Sequence, residues 1–538
     1  MKSSFFGFNV AVSGLYTAQR NLDVINNNIS NINTPGYSRQ QTVQKASRPM
    51  SMYNGTGMVG TGSEVIGVKR VRDEYLDSMY WSENMNFGEW ETKKTLLSDL
   101  EVTFNEPSNS GFNKIMDEFF SSLQELAKDP SSEAMRALVK ERGVTLARYF
   151  NDLATRLETL QMDINDRIET TVERINSIGA QIQQLNRQIY TMELDGNTAN
   201  ELRDQRTLLI DELSKLVNID VSEVVVGTLP NGQADSRMVI TISGKAFIDH
   251  YSFSKLALEQ RDTKLNPEDV PNLYDVVWED GNTLKIKGGV LRGYLDVRDG
   301  NAGDNGSPVY NGVPHYIKKL NQFVQTFAMA FNEGYIDLDN DGSIDPGKNP
   351  AEDGLGHADG YGTGATATQG IRFFTMLGED NKSISSTDFI NGASNPQDIV
   401  ARYSNITAKN FAVSSDILED FNKIATSGAP NEAGNIENLN ALIKLRTNDQ
   451  MFVEGAPEDF MKSVITTMGV NSQQAKRFSA NKEMIVEQID NRRLSESGVL
   501  LDEEVTNMVR HQQAYSAAAQ MINTMSEIYD ILINRVGL

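Results

Sequence analysis

FNVAVSGLYTAQRNLDVINNNISNINTPGY, residues 8–37, is the stretch from which the fold is read. Within it Ala11, Leu15, Ala18, Leu22, Ile25, Ile29 and Ile32 recur at alternating steps of four and three. That spacing is the seam of helices packed by knobs into holes. The helix stops at Asn31-Ile32-Asn33-Thr34-Pro35-Gly36-Tyr37, because a proline disfavours helical geometry at the residue before it and glycine tolerates the turn that follows. The far end of the chain carries the same pattern in Met508, Gln512, Tyr515, Ala519, Ile522, Ser526, Tyr529, Ile533 and Val536. Neither stripe stays dry alone, so the ends pair with each other, with neighbouring molecules, or with both. Polar Gln512 and Ser526 in seam positions either cost stability and fix register or are partly exposed.

Between the ends the period changes. Residues 38–71 read as short β-prone pieces broken by glycines, and helix is predicted over 72–104, 112–127 and 131–149. The longest helical signal covers 144–194, with Leu153, Leu157, Leu160, Ile164, Ile168, Thr171, Ile175, Ile178, Ile182, Leu185, Ile189 and Met192 along one side. Such a helix would extend about 75 Å, a length that suits a stalk or a packed tube wall. A further amphipathic helix runs from Asn200 to Val217. At Ile219 the period falls to two. Val221–Val226, Met238–Ile242, Leu273–Trp278 and Leu284–Ile286 read as strands, with Asp280-Gly281-Asn282 as a hairpin turn. A helix over 316–335 follows, and 337–370 reads as a Gly/Asp-rich surface insertion that tolerates replacement. Helix dominates again from 436.

The architecture expected is a mainly α-helical, hairpin-like body with a protruding β-rich central region. The terminal coiled-coil helices form an inner domain from 1–37 and 500–538. A helical-bundle domain with short β pieces takes 38–218 and 436–499. The outer, β-rich domain takes 219–435.

The balance of charge excludes several functions. A net charge of -23 argues against a nucleic-acid groove, which needs clustered Lys and Arg. There is no cysteine, hence no disulfide and no thiolate nucleophile. The four histidines, His250, His315, His357 and His511, are widely separated, and no nucleophile elbow is present. No stretch approaches the roughly 20 apolar residues of a membrane helix. The first twenty residues lack a convincing cleavage site and read as mature helix, so export would use a route other than a cleaved signal. Asp337, Asp339, Asp341, Ser343 and Asp345 occupy alternate positions of a calcium loop, but Lys348 stands where a bidentate Glu belongs. The segment reads either as a weak calcium site or as a solvated turn. Asp204 and Arg206, with Arg203, read as a surface or inter-helix ion network.

Ile29 through Arg39, ISNINTPGYSR, resembles the N-terminal motif of the bacterial flagellar rod and hook axial proteins. Asn507 through Val536, with Gln513-Ala514-Tyr515 and Ile528 to Asn534, resembles their matching C-terminal helix. Leu157-Glu158-Thr159-Leu160-Gln161, Ala199 to Arg206 (ANELRDQR) and Gly288 to Asp299 (GGVLRGYLDVRD) are similar to the hook-associated members of that family. The resemblance covers 1–335 and 436–538. It fades in 337–430, where a histidine and a D-L-N-G-type segment are expected and the chain reads YIDLDNDG from Tyr335 to Gly342.

The resemblance implies a secreted structural protein without cofactor or catalysis, exported by the flagellar type III apparatus to the hook–filament junction. It implies self-assembly into a ring-like layer between the hook protein and a second junction protein. The terminal helices would line the inner tube, and a cytoplasmic export chaperone would hold the C-terminal helix. A type III adhesin or translocator is the rival reading, and a cell-wall hydrolase a more distant one. The first would show a hydrophobic hairpin or β repeats, the second a framed carboxylate pair, and the sequence shows neither.

Overall fold

The computed structural model describes residues 6–51, 57–104, 111–229, 234–334, 355–363, 368–393 and 396–534. Helix α1 (Phe6–Ser30) leads into the antiparallel pair β1 (Gln40–Ala46) and β4 (Ser63–Arg70), with β2 (Met50–Ser51) and β3 (Met58–Val59) pairing between them. Helices α2 (Glu74–Phe104), α3 (Phe112–Lys128), α4 (Glu133–Leu194) and α5 (Asn200–Leu216) follow. The antiparallel sheet β5 (Asp220–Thr228), β6 (Ala234–Ile242), β7 (Lys245–Asp249), β8 (Ser252–Phe253) is built in chain order, and β9 (Leu256–Gln260) pairs with β10 (Tyr274–Trp278) beside it. Then come α6 (Val290–Asp299), α7 (Val313–Glu333), β11 (Phe374–Met376), α8 (Ser386–Phe389), α9 (Pro396–Tyr403), β12 (Phe411–Val413) and α10 (Ser415–Glu419). Helices α11 (Glu437–Lys444), α12 (Pro457–Ser497) and α13 (Leu501–Asn534) close the chain. α12 returns along α2, and α13 returns along α1, so the body is the hairpin the sequence predicts.

The predicted helices over 131–149 and 144–194 are one element. α4 runs unbroken for 62 residues, about 93 Å, from Ser132, whose hydroxyl caps the amide of Met135. Within the chain it is no free-standing stalk. Its predicted stripe from Leu153 to Ile189 is buried except for half-buried Leu160 and Leu185, and Met192 is exposed. α3 and α7 cover its first half, and α5, α6 and the strands β7 to β10 its second. Gly179 lets the sheet come close: a Cβ there would sit 2.3 Å from the ring of Phe253 and 2.7 Å from that of Phe247. A mid-helix glycine costs about 1 kcal/mol relative to alanine, and here it makes room for two aromatic rings.

The central region holds to α4 through amides. Asn151 donates to the carbonyls of Ala408 and Phe411 at 2.9 and 3.0 Å. Gln161 receives the amide of Val270 and donates to Asp269 and the Arg298 carbonyl. Asn165 receives the amide of Tyr274, and Asn176 both donates to and receives from Leu256. Gln183 and Asn186 donate to the carbonyls of Tyr251 and His250. Each of these amides directly follows an apolar position of the helix, so the row flanks the buried stripe along its length.

α7 is the centre of an aromatic core. Phe323 lies 5.0 Å from Phe150, 5.3 Å from both Phe112 and Phe452, and 5.8 Å from Phe460. Phe327 and Phe331 continue it to Phe374, which stacks on Phe411 at 4.9 Å. The helix expected in the outer region therefore packs against helices from both halves of the body.

Two local expectations fail. Leu284–Ile286 is not a strand; Val277 bridges Thr283 alone, because the chain turns at Gly281 (φ +76°) and then leaves to pack Ile286 into the core. The supposed surface insertion over 337–370 contains a packed anchor. The wholly buried His357 accepts a hydrogen bond from the Ala425 amide at Nε2 (2.9 Å), and its Nδ1 donates to the Ile371 carbonyl (2.7 Å). Replacing the whole stretch would remove that link. The calcium-loop residues Asp337, Asp339, Asp341, Ser343 and Asp345 lie outside the described residues.

Burial drives the His357 pKa down to about 4, aided by Arg136 and Arg372 and opposed by the Ile371 carbonyl. An imidazolium would also have no acceptor for the Ala425 amide. A histidine lowered from about 6.5 contributes its full stability above that pH and loses it as pH falls toward 4. The unfolding free energy should fall across that window by roughly 3 kcal/mol from this residue, and the urea midpoint with it. His357→Gln should be less stable at pH 7 and should flatten the slope. The long helix gives a second expectation: Ile182→Lys buries a charge in the core and should cost more than about 3 kcal/mol, whereas half-exposed Leu185→Lys should cost under about 1. Urea denaturation of both variants checks the order.

Candidate assembly interface

α1 and α13 run antiparallel: Phe8 meets Tyr529 edge to face at 6.3 Å, and Asn28 meets Glu504 at the other end. Ala11, Ala18 and Ile25 of the predicted stripe are buried; Leu15, Leu22 and Ile29 are half-buried, and Ile32 is 38% exposed in the turn. α1 also buries a second face, unpredicted, made of Thr17, Asn21, Val24 and Asn28. That face meets the β1–β4 pair: Thr42 donates its hydroxyl to Asn21, and Ser63 bonds Thr17.

On α13 the contact with α1 shares most of the seam positions and adds neighbours to them. Met508, Tyr515, Ala519, Ile522 and Tyr529 are half-buried, joined by His511, Ala518 and Met525. Met525 closes on Gly7, where a Cβ would sit 2.5 Å from its methyl. Gln512 and Ser526 face outward instead, since steps of 3-4 from Met508 reach His511 and Met525 first. Ile533 is 65% exposed, beyond the first described residue of α1, and Val536 lies outside the described residues. His511 is thus in the contact, where burial and Arg510 lower its pKa.

The turn after α1 is a crossroads. Asn28, 1% exposed, makes four bonds: its Nδ2 donates to the Gln40 carbonyl (2.9 Å) and Glu504 (3.0 Å), and its Oδ1 receives the Tyr37 hydroxyl and the Gln40 amide, both at 2.9 Å. Every capacity of one side chain is therefore used to join helix, turn, strand and C-terminal helix. Asn31 bonds back to Asn27 and receives the Thr34 hydroxyl. Asn33, Thr34 and Pro35 are exposed, and Gly36 takes φ +77°, the left-handed conformation that suits glycine. Burial and the carboxylates of Glu201, Asp204 and Glu504 push the Tyr37 hydroxyl well above its usual pKa.

The two residues after the turn tie it to the body. Ser38 is fully buried and gives both its amide and its hydroxyl to Asp204, at 2.9 and 2.8 Å. Arg70 reaches the same carboxylate at 3.0 Å. Arg39 donates its amide to the Ser497 carbonyl and its guanidinium to Glu503. Arg72 then links Ser38 to Asp77, and Arg493 joins Asp77 to Asp211. Burial would lower the Arg493 pKa, but Asp211 and Asp77 together raise it, so the guanidinium stays charged. Of the two readings of Asp204, Arg206 and Arg203, the inter-helix one holds: Asp204 and Arg206 are buried, Arg206 of α5 donates to Asn186 of α4, and Arg203 pairs with Glu193 of α4. Asn28, Ser38, Arg72, Asp77, Arg493 and Glu504 were not singled out from sequence. The available signal was charged or amide residues, such as Glu504 and Arg493, standing in otherwise apolar helical stripes.

Among the described residues no group of three or more His, Asp or Glu side chains is placed to hold a metal, and no helix is long and apolar enough to cross a membrane.

Comparison with known proteins follows these same landmarks. Residues 8–37 match the family model "Flagella basal body rod protein", 97–346 match "Flagellar hook-associated protein FlgK helical domain", and 491–535 match "Flagellar basal body rod FlgEFG protein C-terminal". Flagellar hook-associated protein 1 of Bacillus subtilis is 29% identical over 100% of this chain and 99% of its own length. Its namesake in Escherichia coli is 27% identical over 98% and 99%. The structure of the flagellar hook junction protein FlgK from Burkholderia pseudomallei aligns with 78% of this chain and 100% of its own at 15% identity and a TM-score of 0.49. With three family models in order along the chain and end-to-end similarity to these relatives, the chain is a homologue of flagellar hook-associated protein 1, a structural protein of the bacterial flagellum.

Proposed function

We propose that this chain joins the hook to the filament and is required for the filament to assemble. It acts as a structural component of the extracellular flagellum, with no catalytic role. The observation that carries the reading is that α13 is left incomplete by its own chain. Among its described side chains Glu504 alone is buried, while Val505, Val509, Met521, Ile528 and Ile531 are 44–54% exposed. A 34-residue helix with so little cover gains its stability from neighbours. Copies of this chain, packed side by side into a ring-like layer, would supply them.

In this reading the seams of α1 and α13 form the inner wall, a unit of 1–37 with 500–538. The crossroads at Asn28, Ser38 and Asp204 fixes the angle between that wall and the helical body of 38–218 with 436–499. The central region, 219–435, faces outward. Hook protein lies on one side of the layer and the second junction protein on the other. Before export, the exposed apolar side of α13 is a surface for a cytoplasmic chaperone.

Removal of Ile528–Leu538 tests the seam, since it takes away Tyr529 and Ile533 and, among the described residues, none of the buried core. The melting temperature of the purified protein should stay within about 3 °C of the parent, because sparsely packed ends contribute little to global stability. In a deletion strain complemented with this variant, hooks should form and flagellin should be released into the medium. Normal filaments would show that the terminal seam does not join the subunits.

A further inference from the structure

β5 is the outer strand of its sheet and is nine residues long. Its root is held by the body: Val221 packs against the core, and Glu223 pairs with Arg203 at 3.1 Å. Beyond that point the strand outruns its support. Val225 stands opposite Ser236, on the face that two residues earlier carries buried Met238, yet Val225 is 62% exposed. Val224, opposite Arg237 on the other face, is 48% exposed, and Val226 is 50% exposed. Three consecutive valines thus meet solvent on both faces of an edge whose outer backbone groups have no neighbouring strand among the described residues.

Proteins ordinarily blunt such an edge with lysine, proline or cover, since it is a template for pairing with another chain. Residues 220–228 contain neither lysine nor proline, and the bulge between Val225 and Gly227 is their sole irregularity. We propose that β5 is a docking edge, completed by an extended segment of a second copy of this chain. The proposal rests on the assembly reading above and names a contact outside the terminal seam.

Charge selects the occupant. With 73 acidic and 50 basic residues, two copies repel over most of their surfaces. Val224–Thr228 carries no charge, so two copies can approach there without setting carboxylate against carboxylate. Backbone pairing supplies affinity and the valines supply apolar contact. A basic partner would be drawn instead to the acidic surface elsewhere.

The test uses flagella from a deletion strain complemented with the full-length chain, in which Val225, or in a second variant Ser222, is replaced by the photo-crosslinker p-benzoylphenylalanine. Restored filaments with the unsubstituted chain first establish the assembly reading; their absence would overturn that reading and this inference with it. After irradiation, the inference expects an adduct whose mass spectrum contains two copies of this chain joined through β5. An adduct with another flagellar protein, or none from either position, overturns it while leaving the assembly reading intact. In parallel, the double variant Val224→Lys and Val226→Lys should cut the number of filaments per cell at least about tenfold with the urea midpoint unchanged. Normal filament numbers overturn the inference, and so does a midpoint that falls along with assembly, since the strand would then serve the fold.

Discussion

A helix has its own backbone satisfied and offers only side chains to its surroundings, so whatever packs along α4 must find hydrogen bonds there or make its own. The central region lays turns and strand ends against it, where main-chain groups lack a partner strand to pair with. Asn151, Gln161, Asn165, Asn176, Gln183 and Asn186 meet that need, each taking one or two main-chain groups of the segments laid against the helix. Buried main-chain groups left without partners would cost several kcal/mol in total. The apolar stripe beside the amides supplies the burial, and Gly179 the clearance. Take away this helix and neither the sheet nor the aromatic core around Phe323 has a surface to form on.

The second constraint is at the ends. The chain's first and last helices meet, but the meeting is thin, built on alanines and on half-buried Met508, Tyr515 and Ile522. What makes the region definite is polar: Asn28 spends all its hydrogen-bonding capacity on four bonds to three residues, and Asp204 gathers Ser38 and Arg70. Apolar contact tolerates sliding, whereas a buried amide or carboxylate has one satisfactory arrangement. A molecule that stacks with others needs the angle between its end helices and its body fixed beforehand, and it needs the remaining apolar surface left open. Both conditions hold here.

Periodicity carried much of the fold. The 4-3 spacing from Ala11 to Ile32 and from Leu153 to Ile189 gave the helices and their buried sides, because a helix returns to the same face every three or four residues regardless of its partner. Pro35 and Gly36 gave the turn, and the change of period at Ile219 gave the sheet, since these are local properties of the backbone. The family motifs at the two ends gave the family.

Tertiary structure decided what depends on a partner distant in sequence. Gln512 and His511 are adjacent on α13, and only the position of α1 sets which of them faces inward. Asp204 read as part of a surface or inter-helix network, and only Ser38 and Arg70, more than 130 positions away, bring it into the crossroads behind the turn. His357 sat in a stretch whose composition reads as loop, and only the arrival of Ile371 and Ala425 makes it an anchor. Periodicity reports how a segment meets a generic apolar surface. It does not report which polar groups the fold will bring together, because their value comes from burial, and burial is a property of the whole chain.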